Sequence, residues 1–171
     1  MTFTDKLGKE NLTLLTDFYE LTMANGFFCT DNGERIVYFD LFFRTVPDKG
    51  GVAILAGIQQ VIDYIKNLKF TEEDIAYLRS KKLFDERFLQ YLLNFEFSCD
   101  IWAIPEGTPV FPNEPIITVR APAIEAQLIE TYLLLCINHQ SLIATKANRV
   151  VRAAQGRRVL EFGSRRAQGA D

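Results

Sequence analysis

The chain closes on a segment that it cannot complete by itself. Val159-Leu160-Glu161-Phe162 reads as a short apolar strand, Gly163-Ser164-Arg165-Arg166 follows, and five residues remain after that. A buried strand needs neighbours for its backbone N–H and C=O groups. No residues remain here to build the rest of such a sheet. The end of a buried strand is also where α/β folds keep their anionic ligands. The sequence therefore reads as the front part of a larger protein.

The 171 residues suffice for one domain and a little more, and 48% hydrophobic with 24% charged residues marks a globular chain. Fourteen Phe and six Tyr supply large surfaces for a core. The net charge of -3 argues against a nucleic-acid or membrane partner for the chain as a whole. Charge is nevertheless uneven. Residues 146–166 carry Lys146, Arg149, Arg152, Arg157, Arg158, Arg165 and Arg166 against Glu161, which makes the segment +6 and the remainder -9. Such a cluster suits a small anionic ligand or a solvated helix face. Cys29, Cys99 and Cys136 are odd in number and lack CxxC or Cys/His ligand spacing. Neither a disulfide nor a metal site is expected, and reduced, mostly buried thiols in the cytoplasm are. The N-terminus has no signal-peptide pattern. The longest nonpolar run, Tyr132 to Ile137, is far too short to span a bilayer.

Residues 1–11 are polar and expected on the surface. Thr16-Asp17 can cap a helix running to about Phe28, and Asp31-Asn32-Gly33 reads as a turn. Over Arg35–Thr45, Val37, Phe39, Leu41 and Phe43 alternate with Tyr38, Asp40, Phe42 and Arg44, which predicts a strand with one apolar face. Ile54, Ile58, Val61, Ile62 and Ile65 predict a helix over about 52–68. Thr71-Glu72-Glu73-Asp74 resembles a capping box and starts a helix near 72–80. Asp85 starts another that runs to about Asn94. Residues 97–120 read as a small antiparallel β-layer of short strands with prolines at their ends. Pro122 opens a long helical region whose buried face takes Leu128, Thr131, Tyr132 and Leu135. A break is expected at Asn138-His139-Gln140-Ser141, with Ser141 capping a second helix that ends at Gly156. The expected fold class is an α+β N-terminal domain (1–138) with a small antiparallel β-layer. Residues 139–171 are then the first helix and strand of an α/β barrel that is otherwise missing.

Two stretches can carry chemistry. Arg165 and Arg166 can grip a carboxylate or phosphate in a two-pronged geometry, Gly163 permits close approach or a positive φ, and Phe162 can stack on a flat ligand. The same residues also fit a surface arginine pair. In Leu15–Ala24, Tyr19 can offer a ring and a hydroxyl, although the pattern alone reads Phe18 and Tyr19 as helix core. His139 is the single histidine and has no carboxylate beside it in sequence, so it reads as structural. Glu106 and Glu114 read as turn residues. Gly50-Gly51 before a helix is a weak phosphate-binding signal without a Walker pattern.

Taken together, these motifs resemble the nicotinate phosphoribosyltransferase family. The matching pieces are Leu15-Thr16-Asp17-Phe18-Tyr19-Glu20-Leu21-Thr22-Met23-Ala24, Phe42-Phe43-Arg44 with Pro47 and Gly50-Gly51, Pro105-Glu106-Gly107-Thr108, Ser141–Arg149 and Glu161–Gly169. They follow the family's order over nearly the whole chain. The resemblance implies a type II phosphoribosyltransferase that joins nicotinate to phosphoribosyl pyrophosphate, coupled to ATP hydrolysis with Mg2+ as activating ion, in NAD salvage. It implies a homodimer in which Tyr19 reaches the neighbouring subunit's site and covers the pyridine. Phe162 stacks on the other face, Arg165 lies beside the base and phosphoribosyl groups, and Arg166 supports it.

The family's phosphorylated histidine, in a Gly-Thr-x-Ala-His-Ser type motif, has no counterpart among these residues, and His139 does not match it. The 171 residues alone are therefore expected to be inactive, with no catalytic residue of their own. A nicotinamide- or quinolinate-using relative and a non-catalytic dimerisation module are the alternatives.

Overall fold

The computed structural model describes residues 11–30 and 32–167. The polar stretch 1–10, Asp31 of the expected turn, and Gln168 and Gly169 of the closing motif lie outside the described residues. Helix α1 (Phe18–Cys29) starts from Asp17 at its N-cap position, as the Thr16-Asp17 signal predicts. Strand β1 (Ile36–Leu41) keeps the expected alternation, with Val37, Phe39 and Leu41 turned inward and Ile36, Tyr38 and Asp40 exposed. Then come β2 (Ala53–Ile54), α2 (Ile58–Asn67), α3 (Glu72–Ser80), α4 (Glu86–Leu93), β3 (Asp100–Ala103), β4 (Pro109–Val110), β5 (Ile117–Pro122) and the 31-residue α5 (Ala123–Ala153).

The architecture is α+β with a small antiparallel layer. β5 is central and pairs with β1, from Ile36↔Pro122 to Leu41↔Ile117, and with β3, from Asp100↔Arg120 to Ala103↔Ile117. β2 and β4 form a separate two-stranded pair. The layer thus reaches back to β1, beyond residues 97–120. Helix α5 packs against α1, α2, β1, β2 and β5. Its first turns are buried from Ala123 to Ile129 because the sheet and neighbouring helices enclose them. Tyr64 of α2 stacks on Tyr132 of α5 with ring centroids 3.8 Å apart. Two helix starts match their sequence signals. Thr71 and Asp74 form a reciprocal capping box, and the Asp85 carboxylate accepts from the Arg87 N–H at 2.8 Å.

Several expectations are corrected. The helix expected over 52–68 begins only at Ile58. Gly57 sits at φ 104°, outside helical space, and the backbone before it is engaged elsewhere. Gly50-Gly51 therefore leads into a strand, and the phosphate reading at a helix start there fails. No break occurs at 138–141, since this stretch contains neither Gly nor Pro and α5 continues to Ala153. The buried face of α5 includes Leu128, Leu133, Cys136, Ile137, Ser141 and Thr145, whereas Leu135 is exposed. Val159–Phe162 forms no strand, because no described strand lies beside it to complete a ladder. Among the described residues, no helix is long and apolar enough to cross a membrane.

Candidate functional site

Tyr19 lies in the first turn of α1 and is 49% exposed, so it is not the core residue that the local pattern suggests. The buried face of α1 is Glu20, Leu21 and Ala24. The Tyr19 hydroxyl donates to Glu130 Oε1 of α5 across 3.5 Å, a long contact. Glu130 is held in turn by Gln127, whose Nε2 donates to Oε2 at 3.2 Å. The negative charge of Glu130, followed by partial burial and the charges of Glu20 and Asp17, pushes the Tyr19 phenol above its ordinary value. The charges that raise it, those of Glu130, Glu20 and Asp17, are all acidic.

Directly beneath Tyr19, sequence inspection missed a buried carboxylate. Glu20 is 0% exposed. Thr16 Oγ1 donates to one carboxylate oxygen in a very short contact, and Thr131 Oγ1 of α5 donates to the other at 2.7 Å. Thr131 Oγ1 also accepts from the Asp17 N–H at 3.0 Å. Burial, opposed by these two hydroxyls, holds the Glu20 carboxyl above the usual carboxylate value. Thr16 and Glu20, four residues apart, were the available sequence signal. Thr131 was legible only as part of the buried helix face.

The arginine pair stands elsewhere. Gly163-Ser164-Arg165-Arg166 closes into one 3₁₀ turn, with the Arg166 N–H donating to the Gly163 carbonyl at 2.7 Å. Gly163 has φ -90°, so its freedom to take a positive φ is unused. The Glu161 carboxylate accepts from its N–H in a very short contact. Phe162 is 82% exposed, and Arg165 and Arg166 are exposed beside it. From Thr131 to Ala153 the unbroken helix spans about 33 Å before the chain even turns towards these residues. The turn that carries Arg165 and Arg166 makes no extended contact with α1, the helix that carries Tyr19.

A stand-alone module would fold residues 141–171 back on its own core. Ser141 and Thr145 do dock, but Val150, Val151, Val159, Leu160 and Phe162 are all exposed. Ser141 and Thr145, read from sequence as a cap and a motif residue, have a structural task. Ser141 Oγ accepts from the Ala56 N–H at 3.0 Å, and Thr145 Oγ1 accepts from the Ile54 N–H at 2.8 Å. Glu106 is more than a turn residue, since its Oε1 accepts from the N–H groups of Gly57 and Ile58 at 2.7 and 2.6 Å. It therefore supplies the start of α2 with a negative charge from a distant loop. His139 is half-buried on α5. Cys29 is exposed, Cys99 half-buried and Cys136 buried, so the expectation of mostly buried thiols fails at Cys29. Among the described residues, no group of three or more His, Cys, Asp or Glu could hold a metal ion.

This architecture matches solved structures. The crystal structure of human nicotinic acid phosphoribosyltransferase superposes with a TM-score of 0.83 at 35% identity, over 92% of this chain and 32% of that one. Nicotinate-nucleotide pyrophosphorylase from Pyrococcus furiosus gives a TM-score of 0.68 at 23% identity over 99% and 35%, a likeness of fold alone. The fold is that of the α+β region opening a phosphoribosyltransferase. At the sequence level, the family model for the nicotinate phosphoribosyltransferase (NAPRTase) N-terminal domain matches residues 14–138. Nicotinate phosphoribosyltransferase pncB2 of Mycobacterium tuberculosis is 45% identical over 158 residues, covering 92% of this chain and 34% of the relative. Nicotinate phosphoribosyltransferase of Bacillus subtilis is 43% identical over 162 residues, covering 95% and 33%. The chain belongs to the nicotinate phosphoribosyltransferase family, and it spans about a third of the length of the curated relatives it matches.

Proposed function

We propose that this chain acts as the N-terminal portion of a nicotinate phosphoribosyltransferase. The complete enzyme joins nicotinate to phosphoribosyl pyrophosphate, yields nicotinate mononucleotide and pyrophosphate, and couples the transfer to ATP hydrolysis in NAD salvage. In this reading residues 1–138 are the N-terminal domain and residues 139–171 lead into the barrel. Exposed Ile143, Val150, Val151, Val159 and Leu160 suit a surface covered by that barrel.

The observation that carries the reading is that the ring of Tyr19 and the Phe162–Arg166 segment both stand exposed. Tyr19 offers an exposed ring beside the acidic Asp17, Glu20 and Glu130. Phe162, Arg165 and Arg166 offer a ring and two guanidinium groups beyond the other end of the helix. Each half supplies what the other lacks, and a second copy brings them together. Tyr19 of one protomer then covers the pyridine, Phe162 of its partner stacks on the opposite face, Arg165 takes the carboxylate and Arg166 supports it. ATP and Mg2+ fall to the remaining two thirds of the family's length, as does the phosphorylated histidine. The 171 residues alone are inactive in this reading.

Mixing tests the shared site. Full-length Tyr19→Ala dimers are unfolded, mixed and refolded with full-length Arg165→Ala dimers, and nicotinate mononucleotide formation is followed at a nicotinate concentration too low for either variant alone to turn over. Random pairing returns about a quarter of normal activity, because hybrids carry one intact site of two. No recovery would exclude a site shared in this way. Preference of the unaltered enzyme for nicotinamide would replace the substrate.

A further inference from the structure

We infer that Glu20 and Thr131 are positioning residues that fix the direction in which Tyr19 leaves the protein. This rests on the reading of Tyr19 as the residue that covers the pyridine. The Glu20 carboxylate is wholly buried, and among the described residues it is held by hydroxyls, not by a cation. Burying a carboxylate that way is costly compared with an apolar side chain of similar size. Packing α1 on α5 does not explain its presence.

The hydrogen-bond directions explain it. Thr131 has one hydroxyl proton and gives it to Glu20, so the same oxygen is left to accept, and it accepts from the Asp17 N–H. Thr16 gives its proton to the second carboxylate oxygen. Positions 16, 17 and 20 are thereby tied together, two of them directly to Thr131, and Tyr19 lies between the tied positions. Its hydroxyl points to Glu130, the neighbour of Thr131 on α5. Two adjacent residues of α1 thus meet two adjacent residues of α5. The buried pair fixes the backbone, and the exposed pair only steers the ring. Gln127, Tyr64, Asp17 and Glu130 complete the polar surroundings.

Truncating the network lets the first turn of α1 shift. A displacement of about an ångström can cost as much as about a hundredfold in kcat/KM, and at a ring that clamps the substrate that loss falls on KM. Thr131→Val keeps the shape of the side chain and removes the hydroxyl.

The test is a double-mutant cycle in the full-length enzyme, read as KM for nicotinate, kcat, KM for phosphoribosyl pyrophosphate, and Tm. Thr131→Val and Glu20→Ala each raise KM for nicotinate about tenfold, with little change in the other substrate's KM. Glu20→Gln restores most of the loss, since Thr131 can still donate to its Oε1 and Thr16 can rotate to accept. In the Tyr19→Ala background, Thr131→Val has no further effect on KM, because the residue through which it acts is gone. If Thr131→Val lowers Tm alone, or its effect on KM adds fully to that of Tyr19→Ala, the positioning role is wrong while Tyr19 keeps its place in the site. If Tyr19→Ala leaves KM for nicotinate unchanged, the reading of Tyr19 falls and the positioning role falls with it.

Discussion

At the scale of single residues, Gly57 is a demanding backbone position. It has φ 104°, and a β-carbon there would sit 3.0 Å from the Cys136 carbonyl oxygen and 3.2 Å from the Cβ of Gln140. Both the left-handed backbone and the closeness of α5 exclude a side chain. Gly57→Ala should cost about 1–3 kcal/mol, seen as a lower Tm with an unchanged m-value in denaturant. A melt like that of the parent chain would show that this loop relaxes freely. The sequence drew attention to Gly163 instead, whose φ is ordinary. The requirement at Gly57 comes from a helix eighty residues away in the chain, and no local pattern carries that information. Glu106 was misread for the same reason. Its partners, Gly57 and Ile58, are 49 and 48 positions away.

At the scale of elements, α5 does the work of a sheet edge as well as that of a helix. β2 has β4 on one side, and on the other its region of the chain meets the buried hydroxyls of Ser141 and Thr145. Those side chains, one turn apart, take up N–H groups that would otherwise be buried without acceptors. Ser141→Ala leaves the Ala56 N–H unsatisfied and should cost about 1–3 kcal/mol, measured by chemical denaturation. Ser141→Thr, which keeps the hydroxyl, tests whether added bulk matters in its place. A neutral Ser141→Ala would mean that water replaces the hydroxyl. This role also explains why α5 ignores the expected break. The polar run 138–141 signals a loop by composition, yet Ser141 is polar because it serves β2. Where local signals were self-sufficient, as in the Thr71–Asp74 capping box and the Asp85 cap, the predicted helix starts match.

At the scale of the whole molecule, the buried acids shape the dependence of stability on pH. Burial raises the carboxyls of Glu20 and Glu125, and the latter is held by the Ser98 N–H and hydroxyl at 2.6 and 3.0 Å. A raised folded value means that the native state binds protons more readily than the unfolded chain. Their stabilisation is complete below the unfolded value of about 4.3 and is lost as pH rises through the folded values. Asp85 works oppositely. Hydrogen bonds from Arg87 lower its carboxyl to about 2, so its contribution is present above about 3.9 and is lost as pH falls towards 2. Thermal melts should therefore show Tm rising as pH falls from 7 towards about 4.5 and dropping at lower pH. The Glu20→Gln, Glu125→Gln double variant should lose the first rise and keep the acid-side drop. An equal rise in the double variant would assign it to other groups. By itself the sequence determined the elements that carry their own signals: the alternating face of β1 and the capped helices α3 and α4. These rest on periodicity and short-range hydrogen bonds, which adjacent residues encode. Only the tertiary structure decided that α5 is unbroken, that Glu20 is buried against Thr131, and that Tyr19 is exposed beside it. Those outcomes depend on which distant backbone and side-chain groups meet, and burial fixes such meetings only after the chain has folded.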